Sequence, residues 1–214
     1  MDALELESGR NPQAAVIWLH GLGADGHDFE PIVPELRLAS AVRFVFPHAP
    51  VRPVTINAGM RMRAWYDIFQ LGGGPEDEAG VRASQRLLED LIARETGRGI
   101  PPAKIVLAGF SQGGAIVLHT GLRHRERLAG ILALSTYLPL AKSLPEEAAA
   151  ANRDLPVFMA HGLYDDIIPI DRAQASRKRL EAAGYALEWH EYPMPHSVCP
   201  PEIGDIAAFL TRVI

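Results

Sequence analysis

The chain has 214 residues, 48% of them hydrophobic and 22% charged, which is the make-up of a single soluble globular domain spanning residues 1–214. Its 21 Lys and Arg against 26 Asp and Glu leave a net charge of −5, excluding a strongly basic face for nucleic acid or an anionic membrane. No apolar run is long enough to span a bilayer, the first seven residues are acidic where a signal peptide would be basic, and the lone Cys199 permits no internal disulfide. A cytoplasmic protein without an integral membrane segment is expected, acting as a monomer or homodimer.

Residues 15–19 (Ala-Val-Ile-Trp-Leu) form the first predicted strand. It runs into a glycine-rich turn, His20-Gly21-Leu22-Gly23, and a second strand follows at residues 42–46. Both runs are hydrophobic almost throughout, Arg43 excepted, as strands covered on two faces require. Residues 47–80 resist this pattern. They hold prolines, the aromatic stretch Trp65-Tyr66-Asp67-Ile68-Phe69 and three consecutive glycines, with at most a short strand at residues 54–56. An irregular segment of this length, rich in aromatics, is expected to pack as a loop over a site.

Helical spacing of Val81, Leu88, Leu91 and Ile92 predicts a helix over about 81–96. Strands at 104–108, 130–134 and 156–160 alternate with helices at 112–122 and 171–183. Residues 186–192 alternate polar and apolar, as a strand nearer a sheet edge does, and a last helix covers 201–214. Strands alternating with helices imply an α/β fold, with a mostly parallel central sheet and helices on both faces.

The chemistry centres on Gly109-Phe110-Ser111-Gln112-Gly113. A predicted buried strand leads directly into this G-x-S-x-G segment and a helix leads out, the context of a nucleophile elbow. The flanking glycines remove Cβ atoms that so tight a turn would not accommodate. A phosphate-binding turn would instead need G-x-G-x-x-G or a Lys beside Ser/Thr, and neither is present. A serine hydroxyl needs a base to take its proton, and the base needs an orienting acid.

In this architecture the acid and then the histidine follow the serine along the chain. His190 lies within the alternating strand, whereas His196 lies in the loop after it, where a base could reach Ser111. His196 is therefore the expected base. Asp165 and Asp166 both follow the strand at 156–160, and spacing does not separate them. The Gly-rich turn after the first strand can aim the Leu22 N–H at the site, and Gln112 supplies the N–H after the nucleophile, giving an oxyanion hole.

With these residues in view, Leu19-His20-Gly21-Leu22-Gly23-Ala24-Asp25, Gly109-Phe110-Ser111-Gln112-Gly113-Gly114, His161-Gly162 with Asp165 and Pro169, and Pro195-His196 resemble the carboxylesterase, acyl-protein thioesterase and lysophospholipase family of α/β-hydrolases. The likeness runs over about residues 14–213. Arg61-Met62-Arg63-Ala64-Trp65-Tyr66-Asp67 looks particularly like the bacterial carboxylesterase branch. The resemblance implies an α/β-hydrolase fold in its minimal form, without a cap domain. It also implies a serine esterase that forms an acyl-enzyme, acting on a small-molecule or lipid-like acyl ester or thioester.

It implies, too, that Asp165 rather than Asp166 is the acid, and that Leu22 is an oxyanion donor. No cofactor and no metal are expected, since the histidines show no short ligand spacing. Cys199 is expected to be inert. Trp65, Tyr66, Ile68, Phe69 and Leu71 in the long loop, with Val198 beside the base, are the expected substrate wall.

Overall fold

A computed structural model describes residues 1–70 and 74–214. Its strands are β1 (Ala3–Glu7), β2 (Ala14–Leu19), β3 (Val42–Pro47), β4 (Val51–Val54), β5 (Met60–Arg63), β6 (Ile105–Phe110), β7 (Gly130–Leu134), β8 (Val157–Gly162) and β9 (Leu187–Tyr192). Its α-helices are α1 (Val33–Leu36), α2 (Glu78–Gly97), α3 (Gln112–Gly121), α4 (Leu144–Glu147), α5 (Ile170–Ala182) and α6 (Pro200–Val213). Seven strands form one sheet in the order β1-β3-β2-β6-β7-β8-β9, parallel except for β1, which pairs antiparallel with β3.

The continuous hydrophobicity of the central strands follows from this arrangement. In β2, Ala15, Ile17 and Leu19 enter one core while Ala14, Val16 and Trp18 enter the other. Ile105 and Leu107 of β6 likewise oppose Val106 and Ala108. The first core is covered by Val81, Leu88 and Leu91 of α2, by α3 and by Leu180 of α5. The second is covered by Leu36 of α1 and by Ile206, Phe209 and Leu210 of α6. A strand whose side chains alternate between two apolar layers must be apolar at every position.

One element was not anticipated and one expectation needs correction. The acidic start of the chain forms β1, whose Leu4 and Leu6 pack on the second core while Glu5 and Glu7 pair with arginines. Residues 47–70 and 74–80 are more ordered than their composition suggests: β4 and β5 form an antiparallel hairpin, and α2 begins at Glu78, capped by Asp77. The short strand lies at Val51–Val54 rather than at 54–56.

Chain order reverses between β2 and β6, since β3 lies on one side of β2 and the later strands extend from the other. Crevices at the carboxyl ends of strands at such a switch point are where α/β sheets bind ligands. β2 leads there into His20–Leu22, and β6 leads into Ser111.

Candidate active site

Ser111 joins β6 to α3 with φ 54° and ψ −118°, a conformation an L-residue adopts only at a cost. The turn is held by the Ser111 N–H donating to Leu134 O at 2.9 Å and by Thr136 Oγ1 donating to Ser111 O at 2.6 Å. A Cβ on Gly109 would fall 2.5 Å from the Gly113 backbone, and one on Gly113 would fall 2.4 Å from Leu19 O. Both glycines are therefore demanded by contact. The Ser111 hydroxyl lines a cavity and makes no hydrogen bond to a described residue. Bonds between a serine and its base commonly close only around substrate.

His196 follows β9, its ring centroid 4.7 Å from that of Phe110, the residue before Ser111. Its Nδ1 lies 2.7 Å from Asp165 Oδ2. A carboxylate oxygen only accepts, so the hydrogen sits on Nδ1 and leaves Nε2 as the basic nitrogen. The other Asp165 oxygen accepts N–H bonds from Ile167 at 3.0 Å and Ile168 at 2.8 Å. Asp166, by contrast, is exposed. The rival histidine, His190, is engaged with Glu188 at 3.0 Å and stacked on Phe158.

Gly162 lets the β8 and β9 loops meet, since a Cβ there would lie 2.4 Å from Met194 O and 2.5 Å from Pro195 O. His161 adds a support that the motif alone did not reveal. Its Nε2 donates to Ile168 O at 2.8 Å and lies 3.3 Å from Asp165 Oδ2, while complete burial holds its pKa below the usual histidine range.

Leu22 lines the same cavity as Ser111 and Gln112, and its N–H has no acceptor among the described residues. Gln112 is the first residue of α3, so its N–H lacks an intrahelical acceptor. The loop carrying Leu22 is braced from two sides. The Gly23 N–H donates to Arg63 O on β5 at 2.9 Å. His20 accepts the Ala49 N–H on Nε2 at 3.1 Å and so donates from Nδ1 to Gly21 O at 2.7 Å. Burial lowers the His20 pKa, which keeps that neutral tautomer in place.

Trp65 belongs to this bracing. It is 1% exposed, donates from Nε1 to His20 O at 2.9 Å, and its N–H donates to Gln112 Oε1 at 2.7 Å. It underlies the wall and does not form it, because an indole with its N–H satisfied inside is a core residue. Gln112 Nε2 donates to Tyr66 O at 2.7 Å, completing the link between elbow and loop.

The cavity at Ser111 measures about 240 Å³, and Tyr66 lines it. Phe69 does not; it is 41% exposed and borders a smaller neighbouring space. Val198 packs against the second core, away from the cavity. Leu71 lies outside the described residues. Ile68 of the same loop lines the cavity too. The sequence reading missed Tyr137, Ile167 and Arg172, which reach the wall from the segments after β7 and β8 and from the first turn of α5.

One cluster has the makings of a metal site: Asp25, His27 and His48 each bring a ligand atom within 4.8 Å of the others. Those atoms already serve the loop. Asp25 Oδ1 accepts the His27 N–H at 2.9 Å and lies 3.0 Å from His27 Nδ1, while His48 Nδ1 accepts the Gly26 N–H at 3.0 Å.

Comparison with known proteins points one way. The family model described as phospholipase/carboxylesterase matches residues 2–214. An acyl-protein thioesterase 1 from Gibberella zeae is 43% identical over 211 residues, covering 93% of this chain and 90% of that protein. One from Mycosarcoma maydis is 42% identical, covering 97% of this chain and 94% of its own length. Among solved structures, Arabidopsis thaliana SOBER1 superimposes with a TM-score of 0.89 at 31% identity, over 93% of this chain and 98% of that one. Zea mays acyl-protein thioesterase 2 gives 0.86 at 26% identity, over 99% of each.

Proposed function

The chain belongs to the phospholipase/carboxylesterase family of α/β-hydrolases and is a serine hydrolase of carboxylic esters, and from that premise we propose that Ser111, His196 and Asp165 are its catalytic triad. The 2.7 Å contact between His196 Nδ1 and Asp165 Oδ2, at the sheet edge that carries the strained Ser111, supports this assignment above all.

Ser111 Oγ attacks the acyl carbon while His196 Nε2 takes its proton. Asp165, held by two backbone N–H groups, fixes the imidazole tautomer and stabilises the imidazolium. The oxyanion that forms is met by the N–H groups of Leu22 and Gln112, with the N-terminus of α3 adding its partial positive charge. His196 then delivers the proton to the leaving group, and a water activated by the same nitrogen releases the acid. The chemistry requires no cofactor.

Thioesters belong to the substrate range, because relatives at 42–43% identity over more than nine-tenths of the chain are acyl-protein thioesterases. A thiolate leaves more readily than an alkoxide, so one triad serves both. No described helix is long and apolar enough to cross a membrane.

Ser111→Ala should abolish labelling by a fluorophosphonate and cut turnover of short activated esters by about 10⁴-fold or more. Undiminished labelling of that variant would reject Ser111 as the nucleophile.

A further inference from the structure

The wall of the Ser111 cavity contains a cation with no counter-charge. Arg172, in the first turn of α5, is half-buried, and it is the one charged group among the cavity's described lining residues. Its guanidinium carbon lies over the Tyr137 ring, 3.3 Å from the centroid. Tyr137 in turn shares a 2.8 Å hydroxyl contact with Tyr66, so the arginine rests on a fixed aromatic support. Among the described residues, no carboxylate lies within the 4.0 Å of an ion pair and no acceptor takes its N–H groups.

Most arginines of comparable burial in this chain are treated differently. Arg43 has Glu7 and Glu95 at 3.0 and 2.9 Å, and Arg123 has Glu147 at 2.6 Å plus two carbonyls. Glu76 borders the neighbouring cavity that Arg172 also lines, but its two oxygens are 3.2 Å from the Leu140 N–H instead. The other described lining residues are uncharged and mostly apolar or aromatic, with Ile56, Ile68, Ile167 and Ile168 prominent beside the polar Asn57, Gln70 and Gln112. An unpaired guanidinium facing such a wall keeps five donors free for a planar oxyacid.

We infer that Arg172 is a specificity-determining residue that receives a carboxylate or phosphate carried by the substrate a few bonds from the ester being cleaved. This deepens the esterase reading and rests on it. The short reach follows from the volume: about 240 Å³ contains both Ser111 and Arg172. Tyr137 supports the guanidinium, so the pairing costs little side-chain ordering when substrate enters. The anionic group can sit on the acyl chain, as in the monoester of a dicarboxylic acid, or on the leaving group, as in an acylated glycerol phosphate.

The test compares matched pairs of esters. Monoethyl adipate is set against ethyl hexanoate, and butanoyl glycerol 3-phosphate against butanoyl glycerol, with kcat/KM measured by acid release. In the parent enzyme the anionic partner of at least one pair should be favoured, and Arg172→Met should lower that anionic-to-neutral ratio by about tenfold to a hundredfold, the range for a charge-assisted pair. Which pair responds locates the anion on the acyl or the leaving side. Arg172→Lys should retain an intermediate ratio, since charge survives without the planar fork.

A partly unfolded preparation lowers both rates together and leaves the ratio intact. If Arg172→Met does not fold, the parent enzyme still decides the matter: raising salt from 0.05 to about 0.5 M should reduce its anionic preference. Ratios that stay within about twofold in the variant, or that ignore salt in the parent, overturn the inference while hydrolysis of the neutral esters leaves the esterase reading standing. Failure of the parent to hydrolyse any of the four esters, with no fluorophosphonate labelling, would overturn both.

Discussion

Replacing Gly113 by alanine adds one methyl group at the point where the Ser111 turn touches the loop carrying Leu22. The new Cβ would lie 2.4 Å from Leu19 O and 2.6 Å from both Leu19 C and His20 O, all backbone atoms. Real Cβ atoms essentially never come nearer than 3.0 Å, so α3 and the end of β2 must part by about 0.6 Å. Overpacking of this kind costs about 1–3 kcal/mol, and the upper end applies because no flexible side chain can yield. The same movement separates Gln112 from Leu22. A 1 Å misplacement costs about 10²-fold in rate, so a drop of tenfold to a hundredfold in kcat is expected.

Gly204→Ala is the control, being the same methyl on an exposed position of α6 with nothing within 4 Å. It should stabilise by about 0.5–1 kcal/mol through helix propensity and leave kcat alone. Urea unfolding and turnover of a short neutral ester measure both quantities. A Gly113→Ala variant as stable as the parent, with kcat within about twofold, would refute the steric argument and the shared oxyanion hole together.

Asp165→Asn should lower kcat by about 10³–10⁴-fold, because an amide cannot accept from both His196 and the Ile167–Ile168 N–H groups, whereas Asp166→Asn on the exposed neighbour should stay within about twofold; the reverse order would move the acid by one residue. Glu202 is wholly buried near the start of α6 with neither carboxyl oxygen hydrogen-bonded, and burial pushes its pKa from the ordinary 4.5 up to about 8. The folded state thus holds a proton that the unfolded chain releases, so stability falls as pH rises between about 4.5 and 8. Glu202→Gln should flatten that slope and gain about 1–3 kcal/mol near pH 8, as read by urea melts across pH; an unchanged slope would place the titration elsewhere.

The central strands were legible because burial on two faces forces hydrophobicity at every position, a pattern local enough to read in five residues. β1 was not, because an antiparallel edge strand only half-buries Ala3, Leu4 and Leu6 and its acidic residues look like a charged tail until Arg43, Arg94 and Arg98 are placed opposite. Residues 47–70 and 74–80 misled for a related reason. Their order comes from side chains gripping backbone at a distance: Asp67 takes the Thr55 N–H at 2.7 Å, and Asp77 takes both the Asp67 N–H at 2.8 Å and the Gly80 N–H at 2.9 Å. Such bonds leave no periodicity in the chain.

The candidate site divides along the same line. Acyl transfer needs a nucleophile on a strained turn, two N–H groups aimed at one point, and a base and acid on adjoining strand ends. Each is a demand on local backbone geometry, and backbone geometry is written in glycines: Gly109, Gly113 and Gly162 each face backbone atoms closer than any Cβ tolerates. These features were readable as short motifs because nothing else fits. The wall of the cavity makes no such demand. Ile68, Tyr137 and the pair Ile167 and Arg172 meet there from three separate stretches of chain, and any apolar bulk at most of those positions would close the space. Trp65 stood out in the sequence for the opposite reason, since a motif that braces His20 and Gln112 looks as specific as one that touches substrate. Substrate choice therefore resides where the sequence is least conspicuous, and in this wall the charged exception is Arg172.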